Sequence, residues 1–208
     1  MLALQAQSLG KTLIGPATVG GIKAGCFKAG NSAGTIENII KCNLHRPGSV
    51  AFIAKSGGMS NELYNIIARN TNGLYEGIAL GGDRYPGSTF VDHILRWEKD
   101  PSVAMIVLLG EVGGIDEYAV VNALQKQHIS KPVVAWVTGT SASLFDTNVQ
   151  FGHAGAMANT DKESATAKNS ALRQAGAIVP SSFNHYEKVI RDTFKQITSK
   201  NPWCIMRV

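Results

Sequence analysis

The fold is decided by the stretch Ala104-Met105-Ile106-Val107-Leu108-Leu109-Gly110-Glu111-Val112-Gly113-Gly114, the most apolar in the chain. Its apolar residues follow one another without the alternation that marks a strand exposed on one face. A continuous run of this kind predicts a strand buried on both faces, as in the centre of a parallel sheet. The glycines that follow end the strand, and they leave one acid, Glu111, at its carboxyl end.

Further short apolar runs repeat this pattern. They are Ser49–Ala54, Gly77–Leu80, Val133–Val137 and Ala177–Val179. Segments with apolar residues at helical spacing alternate with the runs and span residues 61–68, 88–97, 116–127, 161–175 and 186–197. This alternation predicts an α/β fold: a doubly wound, mostly parallel five-stranded sheet between helices, in three α/β/α layers with right-handed crossovers. Ahead of it, residues 12–14 predict one short strand, and the region rich in Gly, Ala and Asn up to Arg46 is expected to be irregular.

The composition is that of an ordinary globular protein, with 208 residues, 44% of them hydrophobic, and a formal net charge of +5. Because the basic residues are scattered, this charge favours a solvated surface over a nucleic-acid-binding patch. Cys26, Cys42 and Cys204 are too few and too irregularly spaced for a disulfide framework or a zinc site, and they fit a reducing compartment. No apolar run approaches the length of a membrane span, and residues 1–10 lack the features of a signal peptide. We therefore expect a cytoplasmic protein that has neither nucleic acid nor a membrane as its partner.

Three features are expected at the carboxyl edge of the sheet, where ligands bind in doubly wound folds. The turn Ser56-Gly57-Gly58 opens a helix, whose amino terminus favours an anion such as phosphate. Glu111 follows the most buried strand, where a carboxylate needs a partner. His153 stands among small residues in Gly152-His153-Ala154-Gly155-Ala156, and a carboxylate on one imidazole nitrogen leaves the other free to attack. Together they predict phosphoryl transfer through a phosphohistidine. Considered singly, His153 also fits an ordinary loop histidine, the Ser-Gly-Gly segment an ordinary turn, and Glu111 a helix cap.

Other polar residues receive simpler interpretations. Surface or helix positions account for His45, His93, His128 and His185. Asp83 and Arg84 either touch substrate or form a turn. The basic residues of the helix after the histidine loop, Lys162, Lys168 and Arg173, are interpreted as a solvated helix face.

At several ordered motifs the sequence resembles the ATP-citrate lyase family, a branch of the succinyl-CoA synthetase superfamily. The motifs shared with the whole superfamily are Gly152–Ala156, Gly81-Gly82-Asp83 with Pro86-Gly87-Ser88, and Gly110–Gly114. Those typical of the lyase branch are Gly15–Gly21, Arg46–Val50, Ser56–Glu62, Tyr75-Glu76-Gly77 and Val149-Gln150-Phe151. The likeness runs from about Ile14 to Lys200 and implies the flavodoxin-like domain of succinyl-CoA synthetase.

The resemblance also implies a reaction. Members of the family use citrate, ATP and coenzyme A to form acetyl-CoA and oxaloacetate, a source of acetyl-CoA for lipid biosynthesis. It implies that His153 takes the phosphoryl group and passes it to citrate, giving citryl phosphate. Glu111 would hold the imidazole and lie near the magnesium (Mg2+) site, and Ser56, Gly57 and Gly58 would bind the phosphate or the citryl group. The alternative is an alpha-type ligase domain of succinyl-CoA synthetase.

The resemblance further implies a division of the chain. Residues 1–46 would be the remnant of a preceding CoA-binding domain with its linker, residues 47–200 the ligase domain with the phosphohistidine loop, and residues 201–208 an atypical tail. The ATP-grasp portion and the citrate-synthase-like portion of the family would be partners, in an oligomeric enzyme, and the fragment alone is expected to be inactive. A further alternative is a truncated, non-catalytic domain that only associates with full-length subunits.

Overall fold

A computed structural model describes residues 2–83, 85–145, 149–150 and 152–200. Its sheet has six strands, in the order β2-β1-β4-β3-β5-β6. The strands are β1 (Gly20–Lys23), β2 (Phe27–Gly30), β3 (Val50–Ala54), β4 (Leu74–Ala79), β5 (Met105–Glu111) and β6 (Val133–Thr138). Strands β3 to β6 are parallel to one another, whereas β1 pairs antiparallel with both β2 and β4.

Helices cover both faces of this sheet. They are α1 (Leu2–Ser8), α2 (Ile36–Lys41), α3 (Gly57–Asn70), α4 (Phe90–Glu98), α5 (Glu117–Gln125), α6 (Ala165–Gln174) and α7 (Tyr186–Lys200). The core on one face contains side chains of α3 and α7, and the core on the other contains side chains of α4, α5 and α6. The three-layer, mostly parallel α/β fold predicted from the sequence is therefore confirmed.

Strand β3 shows why a continuous apolar run is needed. All five of its residues are buried. Phe52 packs on the face of α3, where its ring meets Tyr64 edge to face at 5.5 Å, while Ile53 points into the core on the other side. Because successive side chains of a strand point to opposite faces, a sheet covered on both sides needs an apolar residue at every position.

The sheet has six strands where five were expected, because the ends of the chain differ from the prediction. Ala177–Val179 forms only a single bridge, from Ile178 to Val134, before Pro180 ends the segment. The region expected to be irregular contains the β1–β2 hairpin, and residues 12–14 are not a strand. The hairpin escapes the sequence pattern because glycine replaces the usual strand side chains: a Cβ at Gly20 would lie 2.1 Å from the carbonyl oxygen of Ala29.

Several predictions remain open. Arg84, Phe151 and the tail 201–208 lie outside the described residues. The division at residues 46 and 200 stays a prediction. No helix among the described residues is long and apolar enough to cross a membrane.

Candidate active site

The carboxyl end of β3 leads directly into the predicted anion-binding turn. Ser56 is the N-cap of α3, and its hydroxyl accepts a hydrogen bond from the peptide N–H of Met59 at 3.3 Å. Gly57 and Gly58 form the first turn of this helix, where peptide N–H groups have no intrahelical acceptor. A side chain at position 57 would collide with Val19, at 2.6 Å from its Cγ1, whereas the Cα of Gly58 faces open space. Gly58 is therefore open to solvent and Gly57 lies against Val19, while the Ser56 hydroxyl is occupied by the helix.

The carboxyl end of β5 supplies the partner of the histidine. Glu111 Oε2 lies 2.6 Å from His153 Nδ1. The Glu111 side chain is 9% exposed and that of His153 is 33% exposed. A carboxylate at Nδ1 favours the tautomer with its proton there, so Nε2 carries the free lone pair. The two residues, 42 positions apart in sequence, form the pair that the sequence predicts.

Glycines set the position of the imidazole. A Cβ at Gly82, just beyond β4, would lie 2.3 Å from His153 Cγ, so the ring packs directly on this backbone. The loop after the histidine begins with a turn, in which the peptide N–H of Ala156 donates to the His153 carbonyl at 3.1 Å. It then runs against Gly113, where a Cβ would lie 2.0 Å from the carbonyl oxygen of Gly155. The small residues on both sides are needed for this close approach.

Lys55 is a site residue that the sequence analysis missed. It is 6% exposed, and its Nζ lies 2.9 Å from Asp116 Oδ2. Burial lowers the pKa of Lys55, but the carboxylates of Asp116, Glu117 and Glu111 outweigh burial, and the net pKa is raised. The ammonium group is therefore charged at neutral pH. A lysine directly after five buried strand residues, and next to a glycine turn, is the signal that could have revealed it.

Two clefts flank the histidine loop, and Lys55 borders both. The histidine cleft has a volume of about 450 Å³ and is lined by Pro16, Ala17, Thr18, Val19, Lys55, Gly57, Gly58 and His153. The acidic cleft, of about 530 Å³, is lined by Lys55, Asp83, Gly114, Ile115, Asp116, Ala154, Gly155, Met157, Asn159 and Glu163. The imidazole thus shares one cleft with a helix amino terminus and a lysine, which are the groups that bind phosphate.

The described residues do not fit a magnesium centre on their own. Among them no group of three or more His, Cys, Asp and Glu side chains could hold a metal ion. Of the Glu111 carboxylate oxygens, Oε2 is bonded to His153, and Oε1 is buried without a hydrogen-bond partner among the described groups. Magnesium ligation by Glu111 stays a prediction, and the proposed role of Glu111 in holding His153 does not require it.

The structure corrects one interpretation of a polar residue. Lys168, assigned from the sequence to a solvated helix face, is 0% exposed and pairs with Glu117. Its neighbours on the helix at i−3 and i+4, Ala165 and Leu172, are also buried. This helical spacing of apolar residues in the sequence indicates that Lys168 faces the core. His93 lies on helix α4, one of the two positions predicted for it, where it is 1% exposed and bonded to Ser88. Asp83 lines the acidic cleft and accepts the peptide N–H of Ala17 at 2.8 Å.

Comparison with known proteins extends this description. Residues 53–178, which include all of these strand ends and the histidine loop, match the CoA-ligase family. The chain belongs to this family. An ATP-citrate synthase beta chain of Arabidopsis thaliana is 59% identical over 199 residues, which is 96% of this chain and 33% of that protein.

Two solved structures resemble this CoA-ligase chain closely. They are a mutant ATP citrate lyase of Methanosaeta concilii in complex with (3S)-citryl-CoA, and the ATP citrate lyase of Methanothrix soehngenii in complex with citrate and coenzyme A. Each has a TM-score of 0.94 and 57% sequence identity. The matched regions cover 97% and 96% of this chain, but only 33% and 32% of the two solved chains. The chain thus spans about a third of the length of these three relatives.

Proposed function

We propose that this chain is the phosphohistidine-bearing segment of an ATP-citrate lyase. The observation that carries the proposal is the 2.6 Å contact between Glu111 Oε2 and His153 Nδ1, in a cleft shared with Lys55 and the amino terminus of α3. The high identity to ATP-citrate synthases and the citrate, citryl-CoA and coenzyme A named for the two solved relatives support the choice of substrates.

His153 acts as the nucleophile through Nε2, because Glu111 occupies Nδ1. The Nε2 lone pair forms a bond to the γ-phosphorus of ATP as the bond from that phosphorus to the ADP oxygen breaks. The imidazole then carries positive charge, which the Glu111 carboxylate balances. A carboxylate oxygen of citrate next attacks the phosphorus, the N–P bond breaks, and the neutral imidazole and citryl phosphate are formed.

The histidine cleft would hold the phosphoryl group between these two steps. Peptide N–H groups of Gly57 and Gly58 and the positive end of the α3 dipole attract its oxygens. The Lys55 ammonium borders the same cleft and is paired with Asp116. These groups are in place before the reaction, so they stabilise the transferred phosphoryl without reorganisation.

The rest of the reaction belongs to other parts of the enzyme. Coenzyme A displaces phosphate from citryl phosphate, and citryl-CoA is cleaved to acetyl-CoA and oxaloacetate. We propose that an ATP-grasp portion supplies ATP with its magnesium ion, and that a citrate-synthase-like portion cleaves citryl-CoA, in a cytoplasmic, oligomeric enzyme. Alone, the chain would lack both a phosphoryl donor and a cleavage site.

The substrate assignment is tested by acceptor competition. The chain is reconstituted with the ATP-grasp portion of a relative, phosphorylated, freed of ATP and offered citrate or succinate. We expect citrate to discharge the phosphohistidine faster than succinate by at least about tenfold, since it has further polar groups for the site to recognise. Preference for succinate would instead assign the chain to the succinyl-CoA synthetases, and discharge by neither acid would favour a non-catalytic associating domain.

A further inference from the structure

Directly beneath the site lies a buried ion pair that the proposed chemistry does not use. Lys168 on α6 and Glu117 on α5 are 0% and 1% exposed, and Lys168 Nζ lies 2.7 Å from Glu117 Oε2. The same ammonium donates to the Glu111 carbonyl at 2.8 Å and to the Gly113 carbonyl at 2.6 Å. Two of the three N–H donors of the ammonium are thus committed to backbone carbonyls, and its charge is balanced by the Glu117 carboxylate.

The acidic member of the pair holds the backbone of Glu111 on its other side, at the peptide N–H. Glu117 Oε1 accepts the peptide N–H of Glu111 at 3.1 Å. Only glycine at position 110 permits this, because a Cβ there would lie 2.6 Å from Glu117 Oε1. The peptide N–H of Glu111 is thus bonded to Glu117, and its carbonyl to Lys168, so one ion pair fixes the backbone of the residue that holds His153.

The pair also supports the loop that carries the histidine. Lys168 holds the Gly113 carbonyl, and residues 155–157 lie against Gly113, with the Met157 nitrogen 2.6 Å from the position of a Cβ there. Glu111 and the surface under the histidine loop are therefore fixed by the same ammonium group. A shift of Lys168 would move both.

Stability does not account for such a pair. Removing two charges from water is costly, and replacing a buried ion pair by apolar residues of similar volume is often neutral or stabilising. What the pair provides here is geometry, since its bonds beyond the ion pair go to Glu111 and Gly113. Asn169, the next residue of α6, offers a contrast: it is buried too, but its amide bonds the N–H and the carbonyl of Val137 on β6.

We propose that Lys168 and Glu117 are positioning residues, which orient the Glu111 carboxylate so that it selects the His153 tautomer with a free Nε2. The inference rests on the proposed function for its consequence, phosphorylation at Nε2. The tautomer itself is a property of the chain and needs no phosphoryl donor. The two ideas therefore fail separately.

The test uses a double variant that combines Lys168→Met and Glu117→Leu and so removes both charges at similar volume. It is compared with wild type and with Asn169→Leu. Imidazole 15N NMR, with His153 assigned from the His153→Ala spectrum, reports the tautomer. We expect wild type and Asn169→Leu to show the Nδ1–H form, and the double variant to show exchange between both tautomers. With phosphoramidate as a small phosphoryl donor, labelling at Nε2 should fall about tenfold or more in the double variant, with new labelling at Nδ1.

A double variant with the wild-type tautomer and labelling would overturn the proposal, and so would an equal change in Asn169→Leu, because the effect would then be general loosening. If the double variant does not fold, Lys168→Arg decides. It keeps the charge, but a planar guanidinium cannot bond the Glu111 and Gly113 carbonyls as the ammonium does, so a partial tautomer shift supports the proposal and an unchanged tautomer contradicts it. If the tautomer depends on the pair but ATP does not phosphorylate His153 even with the ATP-grasp portion of a relative present, only the proposed function is contradicted.

Discussion

At the scale of single residues, the site depends on the contact between Glu111 and His153. The carboxylate fixes which nitrogen is protonated, and it balances the charge of a phosphorylated ring. The backbone of Glu111 is itself held by buried groups, which fixes the point from which its side chain reaches His153. Small changes at or next to this contact should therefore have large effects on chemistry and small effects on folding.

The first such change is Glu111→Gln. It keeps the shape of the side chain but removes the charge, and it can present an N–H to Nδ1 and so favour the wrong tautomer. Phosphorylation of His153 should fall by about 100-fold or more, by analogy with a hydrolase whose histidine-orienting aspartate is changed to asparagine. Label transfer to His153 measures this. Glu98→Gln, at an acid bonded to Ser130 and outside both clefts, is the matched control and should transfer label as wild type does.

The second is Gly82→Ala. The backbone at Gly82 suits any residue, but the new methyl would lie 2.3 Å from His153 Cγ and would displace the ring from Glu111. We expect phosphorylation to fall by about 100-fold, as for a misplacement of about 1 Å, with only a modest loss of thermal stability. Gly58→Ala also adds one methyl at this edge of the sheet, but into open space. If imidazole NMR shows the same ring environment in Gly82→Ala as in Gly58→Ala and wild type, the steric argument is wrong.

At the scale of elements, helix α4 contains a buried histidine with a well-defined hydrogen-bonding role. Burial, followed by the charge of Arg96, lowers the pKa of His93 to about 4, although Glu76 and Asp92 act in the opposite direction. Nδ1 lies 3.2 Å from the Arg96 guanidinium, which can only donate, so the neutral ring carries its proton on Nε2 and donates it to the Ser88 hydroxyl at 2.9 Å. His93 is therefore a structural donor and cannot serve as a base toward Ser88.

This pKa shift predicts a pH dependence of stability. Between the folded pKa of about 4 and the unfolded value of about 6.5, the unfolded chain binds more protons, so stability falls as the pH is lowered. The His93 contribution to the loss from pH 7 to pH 5 is about 2 kcal/mol. Urea unfolding should show a smaller loss over this range in His93→Gln than in wild type. The exposed His128→Gln should keep the full loss; an equal loss in all three proteins would contradict the assignment.

Particular elements also show how far sequence reasoning reaches. The parallel strands were predicted because burial on both faces demands uninterrupted apolar runs, as in β3 and β5. The β1–β2 hairpin was missed because its glycines serve close backbone approach and leave no side-chain pattern. On α6, a charged residue on the buried stripe was interpreted by its type instead of its position, and Lys168 was missed for that reason.

At the scale of the whole molecule, the carboxyl edge of the sheet brings together residues far apart in sequence. The anion-binding turn, Glu111 and His153 could be predicted, because glycine-rich strand ends must meet at one edge of a parallel sheet. For Lys55 and Lys168 the sequence offers a signal of burial, but their ion-pair partners could not be predicted, since those depend on which helix packs against which strand end. The chain covers about a third of its Arabidopsis and Methanosaeta relatives, and the proposed reaction joins it to the remaining portions.

The most direct test of the account is the position of a phosphoryl group on His153. The chain is incubated with the ATP-grasp portion of a relative and with ATP labelled in its γ-phosphate, and the label is mapped by residue and by ring nitrogen. We predict an acid-labile, base-stable label on His153 Nε2 that is lost in His153→Ala. If His153→Ala is labelled as well as wild type, His153 is not the phosphoryl carrier and the account is wrong.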